Sequence, residues 1–202
     1  MNFLAHFTLA FGQEDLLVGQ FIADAVKGQK FNDYPEGIRN GILLHRFIDS
    51  ETDTSEVLKP VRIAARPHVG LFSPVIVDLI LDHLLARDYM RITGNDLAAF
   101  SSACTRTLHG KAANIPDRLL PALEAMERYR WLEGYAHLEG IAKSIQGMSR
   151  RVPSGERLLP ILPHLQTLVN EGEKVFEAYF SALSTACLNK LDTFGRGEIG
   201  PN

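Results

Sequence analysis

Apolar positions along the chain recur at the three- and four-residue spacing of helices. Breaks rich in Pro, Gly, Asn and Ser separate these runs. Over residues 38–53 the spacing aligns Ile38, Ile42, His45, Ile48 and Asp49, with Asp53 one turn further on. Over residues 73–89 it aligns Val75, Asp78, Leu79, Asp82, Ala86 and Tyr89, and His83 follows Asp82 directly. Residues three or four apart share a helix face. Both stripes therefore place acids and imidazoles where a core should be apolar. Burying such groups costs on the order of 2–7 kcal/mol unless they are paired or bind a metal. Two helices of this kind point to one site between them.

The same pattern predicts further helices over 15–26, 35–51, 56–66, 73–92, 95–109, from 116 onwards, over 126–148 and over 165–191. Gly28 should stop the first and Pro67 the third. Pro35 with Glu36, and Ser73 with Pro74, read as helix starts, Ser73 as N-cap. Pro121 should interrupt the helix begun at Pro116. No alternating apolar run bounded by hairpin turns occurs, so no strand is expected. The class is all-α: a single domain of about seven to nine helices over residues 1–192. A tail with little to bury should follow at 193–202.

Composition narrows the function. A chain of 202 residues suits one domain with a real core. A net charge of −3 gives no global attraction to nucleic acid. Cys104 and Cys187 lack metal-ligand spacing and read as buried thiols of a reducing compartment. Residues 1–11 are apolar but too short for a membrane span, and they lack the basic start of a signal peptide. A soluble, cytoplasmic protein without nucleic-acid or membrane partners is expected.

The chemistry-bearing residues are His6, Asp24, His45, Asp49, Asp78, Asp82 and His83. Carboxylates with imidazoles and no thiolates suit Mn²⁺ or Mg²⁺ better than a structural zinc. Asp78 and Asp82 are like charges one turn apart, which repel unless a cation or a proton lies between them. A divalent ion lowers the pKa of a bound water and shields a phosphoryl oxygen, and phosphodiester hydrolysis uses both effects. The chain carries no G-x-S-x-G elbow and no P-loop. Lys27, Arg39, Arg46, Arg62, Arg66, Arg87 and Arg91 lie on or near the same helices, and Arg150 with Arg151 could clamp a phosphate.

Several stretches resemble a known family. They are MNFLAH at 1–6, GQFIADAVKG at 19–28, GILLHRFID at 41–49, TD at 52–53 and DLILDHLLA at 78–86, with weaker echoes in WLEGY at 131–135 and GMSRR at 147–151. Together they are similar to the acyl carrier protein phosphodiesterase family. The resemblance implies an all-helical fold related to the HD-type metal-dependent phosphohydrolases. It implies hydrolysis of the phosphodiester between 4′-phosphopantetheine and a serine of acyl carrier protein, with a divalent metal, Mn²⁺ first and Mg²⁺ or Fe²⁺ as alternatives. On this reading His6, His45, Asp78, Asp82 and His83 hold the metal, and Asp49 or Asp24 takes a proton from the attacking water. Arg46 offsets phosphate charge, while Lys27, Arg87, Arg150 and Arg151 bind the acidic carrier. Gln20 stands where an Asn is common in the family, and Asp88-Tyr89 replaces a stretch that often bears Trp. Two other readings remain: a phosphohydrolase acting on a small nucleotide or other phosphodiester, and a non-catalytic helical binding module stabilised by its metal.

Overall fold

The computed structural model describes residues 3–195; Met1, Asn2 and residues 196–202, which include most of the expected tail, lie outside the described residues. The described residues form twelve α-helices joined by short 3₁₀ turns, without a strand. This exceeds the expected number because the runs expected over 73–92, 126–148 and 165–191 are interrupted and the apolar start forms a helix of its own. In order they are α1 (Phe3–Thr8), α2 (Glu14–Ile22), α3 (Glu36–Thr54), α4 (Lys59–Val69), α5 (Ser73–Arg87), α6 (Tyr89–Thr93), α7 (Leu97–Gly110), α8 (Leu120–Arg128), α9 (Trp131–Gly134), α10 (Leu138–Ser149), α11 (Leu165–Glu173) and α12 (Phe176–Gly195).

α5 is the centre of the core. Every residue from Leu79 to Ala86 is buried, as expected of a helix enclosed on all sides. α3 is amphipathic, burying Ile38, Ile42, Leu44, His45, Ile48 and Thr52. Its start at Glu36 behind Pro35 agrees with the sequence. Tyr179 of α12 donates its hydroxyl to buried Thr52, which in turn donates to the Ile48 carbonyl; this chain ties the last helix to α3.

Two glycines set the closest helix contact. A Cβ on Gly19 would lie 2.3 Å from the Ile38 carbonyl oxygen and 2.6 Å from the Gly41 Cα. A Cβ on Gly41 would lie 2.4 Å from the Leu16 carbonyl oxygen. The backbones of α2 and α3 therefore touch where they cross, and no other residue type fits there.

Several predicted boundaries move for tertiary reasons. α2 gives way to a 3₁₀ turn at Ala23–Ala25 instead of running to Val26. Pro67 lies inside α4, and the stop is Gly70, at φ 56° with its N–H on the Arg66 carbonyl. Ser73 is not an N-cap, because the 3₁₀ turn Gly70–Phe72 runs straight into α5. Pro121 sits in the first turn of α8 and opens that helix. The run expected over 126–148 breaks at Arg130, which takes φ 48°, and again between α9 and α10, where Gly140 packs directly on the Gly134 carbonyl. The last helix breaks after Glu173, next to Gly172, which lies against Ile80 and Leu84 of α5. The continuous helical stretch Lys59–Arg87 is apolar and long enough to cross a membrane, yet most of its apolar 18-residue window is buried inside the protein.

Candidate metal centre

Helix α1 brings His6 against α3. His6, on α1, is 1% exposed, and its ring stacks on that of His45 at 4.0 Å between centroids and 12° between planes. Asp49 follows His45 by one helical turn. Its Oδ2 lies 3.1 Å from His45 Nε2 and its Oδ1 lies 3.2 Å from His6 Nε2. One ligand atom from each of His6, His45 and Asp49 falls within 4.8 Å of the others. Asp24, in the turn after α2, places Oδ1 3.6 Å from His45 Nε2, with its side chain 89% exposed at the rim.

Partners around these groups are uneven. His6 Nδ1 bonds Gln20 Oε1 at 2.9 Å. His6 Nε2 is buried and, despite its closeness to Asp49, has no aligned hydrogen bond; His45 Nδ1 is buried without a partner. Of the converging atoms, His6 Nε2 is the buried one left without an aligned donor or acceptor, and a ring nitrogen so placed beside a second imidazole and a carboxylate fits a cation. The donor set, two imidazoles and a carboxylate, suits a divalent ion.

Electrostatics separates the two imidazoles. Burial, reinforced by the neighbouring positive charge of His45, pushes His6 down to about 4, so it is neutral at pH 7. Burial also works against charge on His45, but the Asp24 and Asp49 carboxylates outweigh it and raise His45 to about 9. Burial alone would raise Asp49, yet its pairing with the charged His45 imidazole holds it far below the usual carboxylate range. His45 lowers Asp24 as well, an effect weakened by the water around that side chain.

The acid–imidazole run of α5 is placed differently. Asp82 is fully buried, and its two oxygens accept the backbone N–H groups of Leu4 at 2.9 Å and Ala5 at 3.1 Å. It caps α1 from a distant helix. Burial pushes it up to about 7, although those N–H groups favour the charged form. His83 donates from Nδ1 to the Tyr135 carbonyl at 2.8 Å, on the side of α5 that meets the α9–α10 corner. Asp78 is half-buried and raised by burial and by the charges of Asp49 and Asp53, so it neighbours the centre. None of the three supplies an atom to the converging group among the described residues.

The basic residues also sort by partner. Arg46 donates to the Val26 and Gly28 carbonyls at 2.9 and 3.1 Å and lies over Phe31 at 5.0 Å. It therefore holds the loop that follows Asp24. Arg118, which the sequence pattern did not single out, reaches the Ala25 carbonyl of the same loop. Arg87 is engaged by Glu173 and Asp88. Lys27 is exposed on the loop beside Asp24. Arg150 and Arg151 are exposed, and Arg151 lies over Trp131 at 5.8 Å. Gln20 is the second residue that sequence reading left without a role. Its one signal was a polar side chain inside the apolar run Leu16–Ile22.

A model of the acyl carrier protein phosphodiesterase family matches residues 1–183. A protein of Klebsiella pneumoniae named acyl carrier protein phosphodiesterase is 30% identical over 191 residues, covering 94% of this chain and 99% of its own. One of the same name from Yersinia pestis is 35% identical over 154 residues, covering 76% and 80%. A third, from Enterobacter, is 30% identical over 195 residues. No solved structure matches.

Proposed function

Since the chain belongs to the acyl carrier protein phosphodiesterase family, we propose that it hydrolyses the phosphodiester linking 4′-phosphopantetheine to a serine of acyl carrier protein, releasing apo carrier and 4′-phosphopantetheine. The observation that carries this reading is the convergence of His6, His45 and Asp49 within the family-matched region. These three residues would hold the ion, Mn²⁺ first, with Mg²⁺ or Fe²⁺ as alternatives. When bound, such an ion polarises a phosphoryl oxygen and lowers the pKa of a water. Histidines and an aspartate on neighbouring helices also support the kinship to HD-type phosphohydrolases.

The chain's own residues do the rest. Asp49, with an oxygen towards each imidazole, serves as a ligand. Asp24, ionised and open to water, accepts the proton of the attacking water. Arg46 and Arg118 orient Asp24 by holding the carbonyls that follow it. Lys27, beside Asp24, meets the negative phosphate, while Arg150 and Arg151 meet an acidic carrier surface. Asp78 supports the centre as an acidic neighbour. The site would act where the bacterial carrier resides, in the cytoplasm.

The test is hydrolysis of purified holo acyl carrier protein by metal-stripped enzyme, with and without Mn²⁺, read by intact mass of the carrier. Loss of the phosphopantetheine mass only with metal is expected. No loss with Mn²⁺, Mg²⁺, Fe²⁺ or Zn²⁺, from a protein that still binds the ion, would overturn the substrate.

A further inference from the structure

We propose that Gln20 is a positioning residue that sets the tautomer of His6, so that the Nε2 lone pair faces His45 and Asp49. This rests on the reading of His6 as a metal ligand. A carboxamide oxygen can only accept, so the 2.9 Å contact between Gln20 Oε1 and His6 Nδ1 requires the proton on Nδ1. A neutral imidazole carries one ring proton, so Nε2 is left bare. That nitrogen is buried, 3.2 Å from Asp49 Oδ1, and makes no hydrogen bond to it, which agrees with a bare lone pair there. Stacking on His45 at 4.0 Å fixes the ring plane, and the Asp82 cap on Leu4 and Ala5 fixes the backbone that carries it.

Gln20 has little structural reason to be polar. It is fully buried on α2, and its Nε2 has no hydrogen-bond partner. Leu or Met would fill the same space and leave no orphaned amide. Among the described residues, it alone hydrogen-bonds the outer nitrogen of a stacked imidazole, since His45 Nδ1 has no partner. Partners of this kind fix ring orientation and raise ligand basicity, and their loss weakens metal affinity about 10–100-fold.

The experiment pairs two readouts on the full chain. Nitrogen-15 NMR of metal-free protein at neutral pH should show His6 protonated at Nδ1 and bare at Nε2. Calorimetric titration with Mn²⁺ should show about 10–100-fold weaker binding for Gln20→Met, and affinity within a few-fold of wild type for Gln20→Glu, which restores the acceptor. An Nε2–H tautomer in the wild type, or equal affinity for Gln20→Met, would overturn the proposal. If Gln20→Met does not fold, the wild-type spectrum and Gln20→Glu still decide it. A wild type that binds no ion, with the Nδ1–H tautomer present, would instead sink the metal reading and leave the tautomer standing.

Discussion

Helices α3 and α5 present similar chemistry at similar spacing, and the fold uses it in two ways. On α3, His45 and Asp49 meet a second imidazole and an exposed carboxylate, so charged and lone-pair groups face one another at the edge of the core. On α5, Asp82 meets the two amide donors that open α1, and His83 meets a carbonyl. Helical spacing shows that a polar group is buried. What packs on it from elsewhere decides whether the backbone satisfies it or whether it stays available for an ion. α5 is enclosed all round, so its polar groups are met by the protein itself. α3 lies at the rim and keeps Asp49 partly open, at 41% exposure.

Three measurements can break or sharpen this contrast. The largest effect should come from exchanging the fates of the two aspartates. Asp49→Ala should cost at least about 10²-fold in turnover of holo carrier protein and, by removing the nearer ion-pair partner of His45, up to about 2 kcal/mol of the metal-free protein's stability at neutral pH, a loss that fades towards pH 9. Asp82→Ala should act chiefly on stability. It orphans two buried N–H groups and should remove on the order of 2–4 kcal/mol of stability, several degrees in melting temperature, while the folded fraction still binds Mn²⁺. Loss of Mn²⁺ binding by well-folded Asp82→Ala would place α5 in the centre after all.

Next in size is a pH effect on the metal-free protein. His45 is raised to about 9 in the folded state against 6.5 in the unfolded chain. The native state then holds a proton that the unfolded state has released. The His45 contribution is full below pH 6.5 and lost as pH rises towards 9, on the order of 2 kcal/mol after allowance for the water around Asp24. Urea unfolding between pH 7 and 9 in the presence of a chelator should show this decline, and His45→Gln should flatten it. A decline unaltered by that substitution would remove His45 as its source. The smallest change should come from His83→Leu, which loses one hydrogen bond: about 1 kcal/mol of stability, with turnover within about twofold of wild type. A collapse of turnover there would contradict the structural role.

Much of this could be read from the chain before its fold was seen. Pro35 and Glu36 mark the start of α3, as the sequence pattern predicts. His6, Asp24, His45 and Asp49 each stood out as polar groups in apolar surroundings. The break after α11 was hidden because the contact beside it lies in another segment, Gly172 against Ile80 and Leu84 of α5. The division between α3 and α5 was hidden for the same reason. Asp82 finds its donors 77 and 78 residues away, and a repeating spacing carries no information about a partner so remote. Gln20 and Arg118 act through contacts 14 and 93 residues distant, and neither residue type announces such a task.

The paired glycines at the α2–α3 crossing work as a spacer of zero thickness. Gly19 precedes Gln20 directly, and one helical turn separates Gly41 from His45. Gln20, His6, His45 and Asp49 are thus linked in series from one backbone contact, like parts stacked without shims. A single methyl group at that contact shifts every later member, and a misplacement of about 1 Å costs on the order of 10²-fold in rate. The tolerance of the centre is therefore set at a point that holds none of its chemistry.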